Sequence, residues 1–325
     1  MRFYSIILVC LPFFVITNCN ITGEKQNDGG GISLPSPVYP QAYSEPSVSP
    51  DGSKLLFVRN KITKIDKAGG FSIDSDSSGI WMSDSDGRNM KLLLQSQNLG
   101  TPSFSPDMKW ILFEGGAQVY KMPFAEDSVK TDSLVQLTPE GRNFYPDWSP
   151  DGKWIVYGQS ICNEVKECGI WLFNLNSKSE KNIAKFGNYP DWHPLMNNIL
   201  YRTRAVLPSG QVIGDSLWTY SLSDSTTSFL AFIEGDNRYP KYSSDGKTIL
   251  FQSNQEIWTM ESTGDNLIQL TTGGGVQPTW TPVHKIIYVD YSYSRFSKDN
   301  GTLWMMNADG SGKRQLTFNY GLELE

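Results

Sequence analysis

The chain has little of what most enzymes and nucleic-acid-binding proteins rely on. It contains two histidines among 325 residues, and its 28 basic residues form no cluster and are outnumbered by 34 acidic ones, which gives a net charge of −6. Neither histidine has an obvious partner for a Ser-His-Asp triad, and no Gly-x-Ser-x-Gly sequence is present. We therefore expect no catalytic residues and no nucleic-acid partner.

Long hydrophobic runs are also missing, except at the start of the chain. Residues 3–16 form an apolar stretch of 14 residues after Arg2, too short to span a bilayer but suited to the core of a signal peptide. The stretch leads into Ile16-Thr17-Asn18-Cys19, which resembles a bacterial lipobox with Asn where Gly or Ala is usual. We expect residues 1–18 to be a lipoprotein signal peptide and Cys19 to carry lipid; the alternative is an ordinary secretory leader with an incidental cysteine.

The segment that follows predicts a flexible tether. Residues 19–42 hold Gly29-Gly30-Gly31, several prolines and many polar residues, without apolar periodicity. A flexible stretch of about 25 residues reaches on the order of 25–30 Å. This segment would hold a globular domain at residues 43–325 clear of a membrane surface.

Cysteine is scarce, and two of the four cysteines lie on either side of one short loop. Cys162 and Cys168 flank five residues between predicted strands, which favours a disulfide that pins a hairpin loop in an exported protein. A metal site is the weaker alternative, because no Cys or His neighbours complete a tetrahedral set. We expect no metal or cofactor. Calcium at the aspartates of residues 74–76 or 84–86 is only a minor alternative, because neither segment completes a twelve-residue calcium loop.

What the chain does have is one short pattern repeated six times. Each copy begins with a proline followed by an aromatic or aliphatic residue two positions later, then a turn, an aliphatic-aliphatic-aromatic run, an aliphatic-aromatic pair and a short closing strand. The first prolines are Pro46, Pro102, Pro146, Pro190, Pro240 and Pro278. A spacing of 38 to 56 residues with four short strands in each unit predicts an all-β fold, a six-bladed β-propeller of four-stranded antiparallel blades.

The turn after the first strand of each unit has its own signature. Ser-Pro-Asp-Gly begins at Ser49 and Ser149, and near copies begin at Ser105 and Ser243. Proline presets φ, Asp bonds back to the backbone and Gly accepts positive φ, so we interpret these aspartates as turn residues rather than catalytic carboxylates.

The whole pattern resembles the TolB-type propeller repeat, a WD40-like family, over about residues 43 to 320. The resemblance rests on the Pro-x-Trp-Ser-Pro-Asp-Gly turn, the Ile-x-Phe and Ile-Trp-x-Met strands and the Arg-Gln-Leu-Thr strand. Two units depart from it, because His193-Pro194-Leu195-Met196 and Thr281-Pro282-Val283-His284 replace the turn. The chain has only the tether where TolB has a mixed α/β domain, so the resemblance implies a TolB-like lipoprotein rather than TolB itself.

The longest insertions are all expected on one face of the propeller. With the strands of each unit called a to d, they fall between strands b and c, at residues 60–78, 160–168, 203–215 and 290–301. Antiparallel order places them on the same face as the d–a loops. Those loops are expected to bring binding residues to a channel rim, namely Glu45, Arg142, Tyr145, Tyr189, Arg238, Tyr239 and Gln277. The alternative is that the tyrosines only pack between blades.

These features favour a binding protein over an enzyme. We expect a monomeric, lipid-anchored protein of the bacterial cell envelope, in the outer membrane on its periplasmic side or at the surface. Its propeller would bind another envelope protein through the b–c and d–a loops without catalysis. The alternative function is a carbohydrate- or peptide-acting enzyme, such as a lyase, cyclase or hydrolase, or a small-ligand binder at the channel mouth.

Overall fold

The structure is a computed structural model that describes residues 42–65, 71–160, 167–290, 301–319 and 323–324. The leader, Cys19, most of the tether and Cys162 lie outside the described residues, and their predicted roles stay predictions. Cys168 is buried and disulfide-bonded. Within the described ranges, no helix has the length and hydropathy needed to cross a bilayer.

Six sheets form the described part of the chain, and each is built from consecutive antiparallel strands, to which the first sheet adds the C-terminal strand in a parallel pairing. The strands are β1 (Tyr43–Val48), β2 (Lys54–Ile65), β3 (Phe71–Asp84), β4 (Lys91–Gln95), β5 (Leu99–Phe104), β6 (Trp110–Gly115), β7 (Gln118–Ala125), β8 (Ser128–Val129), β9 (Val135–Gln136), β10 (Asn143–Trp148), β11 (Trp154–Gln159), β12 (Gly169–Asn174), β13 (Glu180–Ala184), β14 (Asn188–Trp192), β15 (Asn198–Val206), β16 (Val212–Ser221), β17 (Thr226–Glu234), β18 (Asn237–Tyr242), β19 (Thr248–Ser253), β20 (Glu256–Glu261), β21 (Ile268–Gln269), β22 (Val276–Trp280), β23 (Lys285–Val289), β24 (Leu303–Asn307), β25 (Arg314–Gln315) and β26 (Glu323–Leu324). This is the predicted six-bladed propeller.

The blades follow the chain without exchange of strands. Blade 1 is β1–β4, blade 2 is β5–β9, blade 3 is β10–β13, blade 4 is β14–β17, blade 5 is β18–β21 and blade 6 is β22–β25. The predicted short outer strand d is found in blades 2, 5 and 6, at β9, β21 and β25. Blade 4 differs, because β17 has nine residues and pairs with β16 along its whole length.

The core lies between neighbouring blades. The aliphatic-aliphatic-aromatic run of each strand b, for example Ile111-Leu112-Phe113, is almost completely excluded from solvent. The two aliphatic residues point to opposite faces of the blade, so one packs on the preceding blade and the other on the following one. Six such clusters, one for each blade interface, account for the hydrophobic run that the sequence repeats six times.

The ring closes where blade 6 meets blade 1. Tyr43 packs its ring against Phe57 in the cluster shared by the two blades, its amide N–H donates to the Gly301 carbonyl at 2.8 Å, and its hydroxyl donates to the Phe318 carbonyl at 3.2 Å. The C-terminal strand β26 adds a parallel pairing with β2 at Lys64 and Ile65. Closure therefore uses side chains and the C-terminus, and no strand of blade 6 comes from the described N-terminal residues.

The aspartates of the a–b turns are structural. In blade 1, the Ser49 hydroxyl donates to the Asp51 carboxylate at 2.6 Å and accepts the Lys54 amide at 2.9 Å. The serine-to-aspartate bond recurs in the turns that begin at Ser105, Ser149 and Ser243. These carboxylates stabilise the turn backbone, as the interpretation of their sequence predicted.

The two divergent turns use different chemistry. In blade 6, Thr281 replaces the serine and accepts the Lys285 amide at 2.9 Å, while His284 takes the left-handed position at φ 55°. In blade 4, His193 Nδ1 accepts the amides of Leu195 and Met196 at 3.1 and 3.0 Å, and its buried ring packs on Tyr242 at 4.5 Å. A neutral imidazole thus performs the task that a serine and an aspartate share in the other turns.

Exchanging residues at the left-handed turn position tests the role of glycine. Gly52 has φ 75° and Met108 of blade 2 has φ 56° at the same place. A Cβ at position 52 would meet only ordinary contacts of 3.7 Å with Pro282, so the cost of Gly52→Ala lies in the backbone. We expect Gly52→Ala to destabilise the fold by about 1 kcal/mol, and Met108→Gly to be more stable than Met108→Ala by a similar amount, as measured by urea unfolding. Equal stability of the two Met108 variants would contradict this.

His193 should make the fold sensitive to acid. Burial lowers the pKa of His193, and protonation would convert the accepting Nδ1 into a donor. Because the folded-state pKa is below the unfolded value of about 6.5, the stabilisation is complete above that pH and is lost as the pH falls below it. We expect the difference in unfolding free energy between the wild type and His193→Asn to shrink by about 1 kcal/mol from pH 7 to pH 5. His284→Asn, which removes the exposed histidine, should keep the wild-type response; an unchanged difference for His193→Asn would refute the assignment.

Candidate functional site

Each strand a is interrupted at the same place, one residue before the repeat proline. The register with strand b shifts there in all six blades. The residue before the proline is left-handed, with φ between 43° and 55°; these residues are Glu45, Thr101, Tyr145, Tyr189, Tyr239 and Gln277. Proline has no N–H to offer a strand ladder and is found at strand edges and bulges. The repeat proline thus marks a β-bulge in the strand that faces the central channel.

The structure corrects the predicted position of these residues. Glu45, the three tyrosines and Gln277 were expected in the d–a loops, but they lie inside strand a at the bulge. The proline itself was the signal that could have identified the bulge, because a proline in a run that otherwise reads as a strand indicates an edge or a bulge. The predicted grouping is nevertheless observed, since all of them line one central cavity.

Side chains of the preceding blade hold the bulges in place. The Glu45 amide donates to Gln277 Oε1 at 3.0 Å, and the Thr101 amide donates to Glu45 Oε2 at 2.5 Å. The Tyr145 amide donates to Glu114 Oε2 at 2.8 Å, and the Gln277 amide donates to Gln252 Oε1 at 3.2 Å. These four contacts link neighbouring blades around the channel.

Sequence reasoning missed Glu114 and Gln252. Both directly follow the aromatic residue of strand b, where blade 4 has Arg202 and blades 1 and 6 have valine. A polar residue next to a fully buried run was the available signal, because a buried polar group requires a partner.

Three of the bulge residues form an aromatic cluster. The ring centroids of Tyr145 and Tyr189 are 3.9 Å apart, those of Tyr189 and Tyr239 are 4.7 Å apart, and Tyr145 and Tyr239 meet edge to face at 5.9 Å. The tyrosines of the consecutive blades 3, 4 and 5 therefore pack on one another along one half of the cavity collar. The opposite half of the collar consists of the polar residues Gln277, Glu45 and Thr101.

Arginines surround the aromatic cluster but take different positions from those predicted. Arg238 pairs with Asp236 at 2.6 Å, and the same carboxylate contacts Arg204 at 3.1 Å. Arg142 is exposed in the d–a connection of blade 3, and neither it nor Arg238 is among the described residues that line the cavity. Arg202 was not predicted at all: its guanidinium lies 4.9 Å from the Tyr189 ring centroid.

A buried ion pair supports that arrangement. Arg202 and Asp215 are paired and almost fully buried, with side chains 1% and 0% exposed. The second oxygen of Asp215 accepts the Asn237 amide of blade 5 at 2.7 Å. Removal of one partner from a buried pair typically costs about 3–5 kcal/mol, so the pair fixes Tyr189 and the blade 4–blade 5 contact rigidly.

A second polar layer lies two residues further along each strand a. Asp147 accepts the Trp192 amide at 2.8 Å and Asp191 accepts the Tyr242 amide at 2.8 Å, each across a blade interface. Asp191 also pairs with Lys241 at 3.4 Å. Burial raises the pKa of Asp191 to about 7, against the lowering effect of Lys241. Burial raises the pKa of Asp147 as well.

Two buried glutamates, Glu45 and Glu114, lie close enough for their charges to repel each other. Burial raises the pKa of Glu45 to about 7, although the Thr101 amide and the Tyr239 hydroxyl stabilise its charged form. Burial and then the nearby Glu45 raise the pKa of Glu114 to about 8. The cavity mouth therefore holds carboxyl groups that change charge near neutral pH.

The cavity occupies about 650 Å³, including its open mouth. Among the described residues, no group of three or more His, Cys, Asp or Glu could hold a metal ion. The aspartates considered for calcium lie elsewhere: Asp74 pairs with Lys61 at 3.0 Å and Asp84 with Lys54 at 3.1 Å. Both histidines lie in a–b turns, at the end of the propeller opposite the mouth.

The face around the cavity mouth also carries the b–c connections, and we call it the mouth face. Two of the four predicted long loops are extended hairpins: β2–β3 continues beyond Arg59 and Gly79, and β15–β16 continues to Val206 and Val212. In the described parts of these two insertions, paired strands continue beyond the blade, which the sequence did not indicate. Residues 66–70, 161–166 and 291–300 of these connections lie outside the described ranges.

Comparison with known proteins agrees with this geometry. Residues 74–323 match the TolB beta propeller domain. The chain is 29% identical over 150 residues to the uncharacterized protein Atu1656 of Agrobacterium fabrum, and the match spans 45% of each chain, less than half the length of this relative.

Two solved structures share the fold. TolB from Acinetobacter baumannii has a TM-score of 0.63 and 18% identity, covering 82% of this chain and 63% of that one. A protein from Agrobacterium tumefaciens that carries the name TolB has a TM-score of 0.58 and 21% identity, covering 71% and 85%. Since the domain match includes most of the six blades, the chain belongs to the TolB beta propeller domain family.

Proposed function

We propose that this protein is a non-catalytic scaffold of the bacterial cell envelope that binds a protein partner through the mouth face. The observation that carries the proposal is the difference between the two ends of the propeller. The mouth face bears the projecting hairpins and the open cavity, whereas the a–b turns of the opposite face are short and held by their own side chains.

The mouth face is suited to binding because its projections are rigid. In the β2–β3 hairpin, Lys61 pairs with Asp74 at 3.0 Å and the Lys61 amide donates to Ser78 Oγ at 3.1 Å. In the β15–β16 hairpin, Asp215 is fixed by the buried Arg202 and by the Asn237 amide. Preformed elements lose little conformational entropy on association, so modest contacts are enough for specific binding.

The same face offers the side chains that partners use. Exposed Leu207 at the tip of β15–β16, the Arg204–Asp236–Arg238 cluster and the tyrosine collar lie on it. Tyrosine and arginine are enriched among residues that dominate binding energy.

The envelope location rests on the family and on the start of the sequence. Membership of the TolB beta propeller family supports an envelope protein. Lipidation of Cys19 and a tether to residue 42 would place the propeller beside a membrane, with the mouth face free to meet a neighbouring envelope protein.

A charge introduced at one of two exposed leucines tests which face of the propeller binds the partner. Leu207 is 40% exposed at the hairpin tip of the mouth face, and Leu195 is 72% exposed in the a–b turn of blade 4. We expect Leu207→Glu, or replacement of residues 206–212 by Asn-Gly, to weaken partner capture at least about tenfold, because a desolvated charge opposes burial at an interface. The readout is crosslinking of the full-length protein in envelope extract, with quantitative mass spectrometry.

Leu195→Glu is the matched control and should capture the partner as the wild type does, since it places the same charge on the other face. The positions of the crosslinked lysines give an independent measure of which face forms the interface. Lys61 lies in the mouth-face hairpin, whereas Lys109 and Lys153 follow a–b turns. A partner crosslinked mainly to Lys109 and Lys153, or lost with Leu195→Glu, would place the interface on the other face and refute the proposal.

A further inference from the structure

The collar of the cavity has two chemically different halves. Tyr145, Tyr189 and Tyr239 bring their ring faces and edges together on one side. Glu45 and Gln277 lie on the other, and Asp147 lines the wall below. Aromatic rings attract cations through their negative faces, and carboxylates attract them directly. Both halves therefore favour a positively charged ligand.

Carboxyl groups outnumber cations in the cavity lining. Among the described residues that line it, Glu45 and Asp147 are the carboxylates and Lys241 is the one ammonium. Lys241 pairs with Asp191, which lies outside the lining. The guanidinium groups of Arg202 and Arg238 also lie outside the lining and pair with Asp215 and Asp236. The wall formed by Glu45 and Asp147 thus carries more negative than positive groups.

The two lining carboxylates keep acceptor capacity for a ligand. Glu45 accepts the Thr101 amide through Oε2, and Asp147 accepts the Trp192 amide through Oδ2. A carboxylate has two oxygens with about four acceptor positions. The hydroxyl oxygen of Ser103, another lining residue, is buried without a hydrogen-bond partner among the described side chains and backbone. A donor entering the cavity would meet acceptors already fixed in place.

The pKa values of Glu45 and Glu114 also favour the binding of a cation. Burial raises the pKa of Glu45 to about 7 and that of Glu114 to about 8, because their charges are poorly solvated and repel each other. A cation bound beside Glu45 in the cavity would stabilise the charged form of its carboxyl group. An organic cation fits better than a bare metal ion, since the described residues offer no metal-binding group and half of the collar is aromatic.

We infer that the cavity binds an organic cation, the ammonium or guanidinium group at the end of a lysine or arginine side chain, between the tyrosine collar and the carboxylates of Glu45 and Asp147. The inference rests on the proposed function, because the basic side chain would belong to the protein that docks on the mouth face. It specifies the chemical group of the partner that would enter the cavity of the propeller.

The first test uses a small probe and needs no partner. Isothermal titration of the full-length protein with Nα-acetyl-lysine N-methylamide should show saturable binding, whereas the Nε-acetylated form, which lacks the charge, should not bind. Glu45→Gln and Asp147→Asn should each weaken binding at least about tenfold. The glutamine and asparagine keep an oxygen for the interblade amides, and thermal melting verifies that the fold is intact.

Glu140→Gln is the matched control. Glu140 is exposed in the d–a connection between blades 2 and 3, the one that also holds Arg142, so the substitution removes one negative charge from the same face without touching the cavity lining. Its affinity for the probe should equal that of the wild type. If Glu140→Gln lost as much affinity for the probe as Glu45→Gln, general surface charge would explain the effect, and the inference would be overturned.

Binding should also release protons. The groups that face Glu45 are Glu114, Tyr239, Gln277, Lys241 and the Thr101 amide. The pKa values of Glu45 and Glu114, about 7 and about 8, both lie near neutrality. Affinity should rise several-fold from pH 6 to pH 8, since a cation favours the ionised carboxylates. Titration in buffers of different ionisation enthalpy should show proton release in the wild type and a reduced release in Glu45→Gln. A pH-independent affinity would contradict the site.

Two comparisons identify the source of the cation. A capped Gly-Ser-Lys-Ser-Gly peptide that binds more tightly than the lysine amide supports a protein side chain, whereas tighter binding of spermidine assigns the same cavity to a free polyamine. Saturable binding of calcium, with no binding of any amine, would overturn the inference. Because these probes act without a partner, their failure leaves the crosslinking test of the mouth face standing, and loss of the mouth-face crosslinks leaves the amine titration interpretable.

Discussion

The bulge in the innermost strand is the constraint on which the rest of this structure depends. In every blade the residue before the repeat proline adopts a left-handed conformation that costs roughly 1–3 kcal/mol for a side chain other than glycine. The cost is tolerated because the bulge lets a proline occupy strand a, and because side chains such as Glu114 and Gln252 accept the bulge amides of the next blade. A local backbone irregularity thus becomes a contact between blades, repeated around the ring.

The candidate site is a consequence of the same bulge. Residues at the bulge turn their side chains into the channel mouth, which is why tyrosines that are 44 and 50 residues apart in sequence have rings in contact. The interblade hydrogen bonds also bury Glu45 and Glu114 beside each other, and burial is the main reason that their pKa values rise toward neutrality. Binding chemistry and blade packing therefore use the same residues, as in other sites built on rigid scaffolds.

Several parts of the molecule could be predicted from sequence because they depend on local chemistry. The strand b run that includes Ile155, and the Ser149-Pro150-Asp151-Gly152 turn, are observed where the pattern placed them. The error about the bulge had a physical cause: a proline two or three residues into a strand was taken for the end of a loop. Glu114 and Gln252 were missed because their partners come from the next blade, and no spacing within one repeat indicates such partners. Arg202 was missed although its partner Asp215 lies on the adjacent strand of the same hairpin.

The number of blades, the order of strands and the turns could be read from the sequence, since each follows from alternation, aromatic content and turn residues within about 45 positions. It also grouped the residues that line the mouth, because one repeat position supplies them all. Only the tertiary structure decided that the tyrosines contact one another, that Arg202 lies against Tyr189 and that two glutamates share one buried region. Those features depend on how neighbouring strands and consecutive blades pack around the channel, which brings together residues that are distant in sequence and removes water from around their carboxylates.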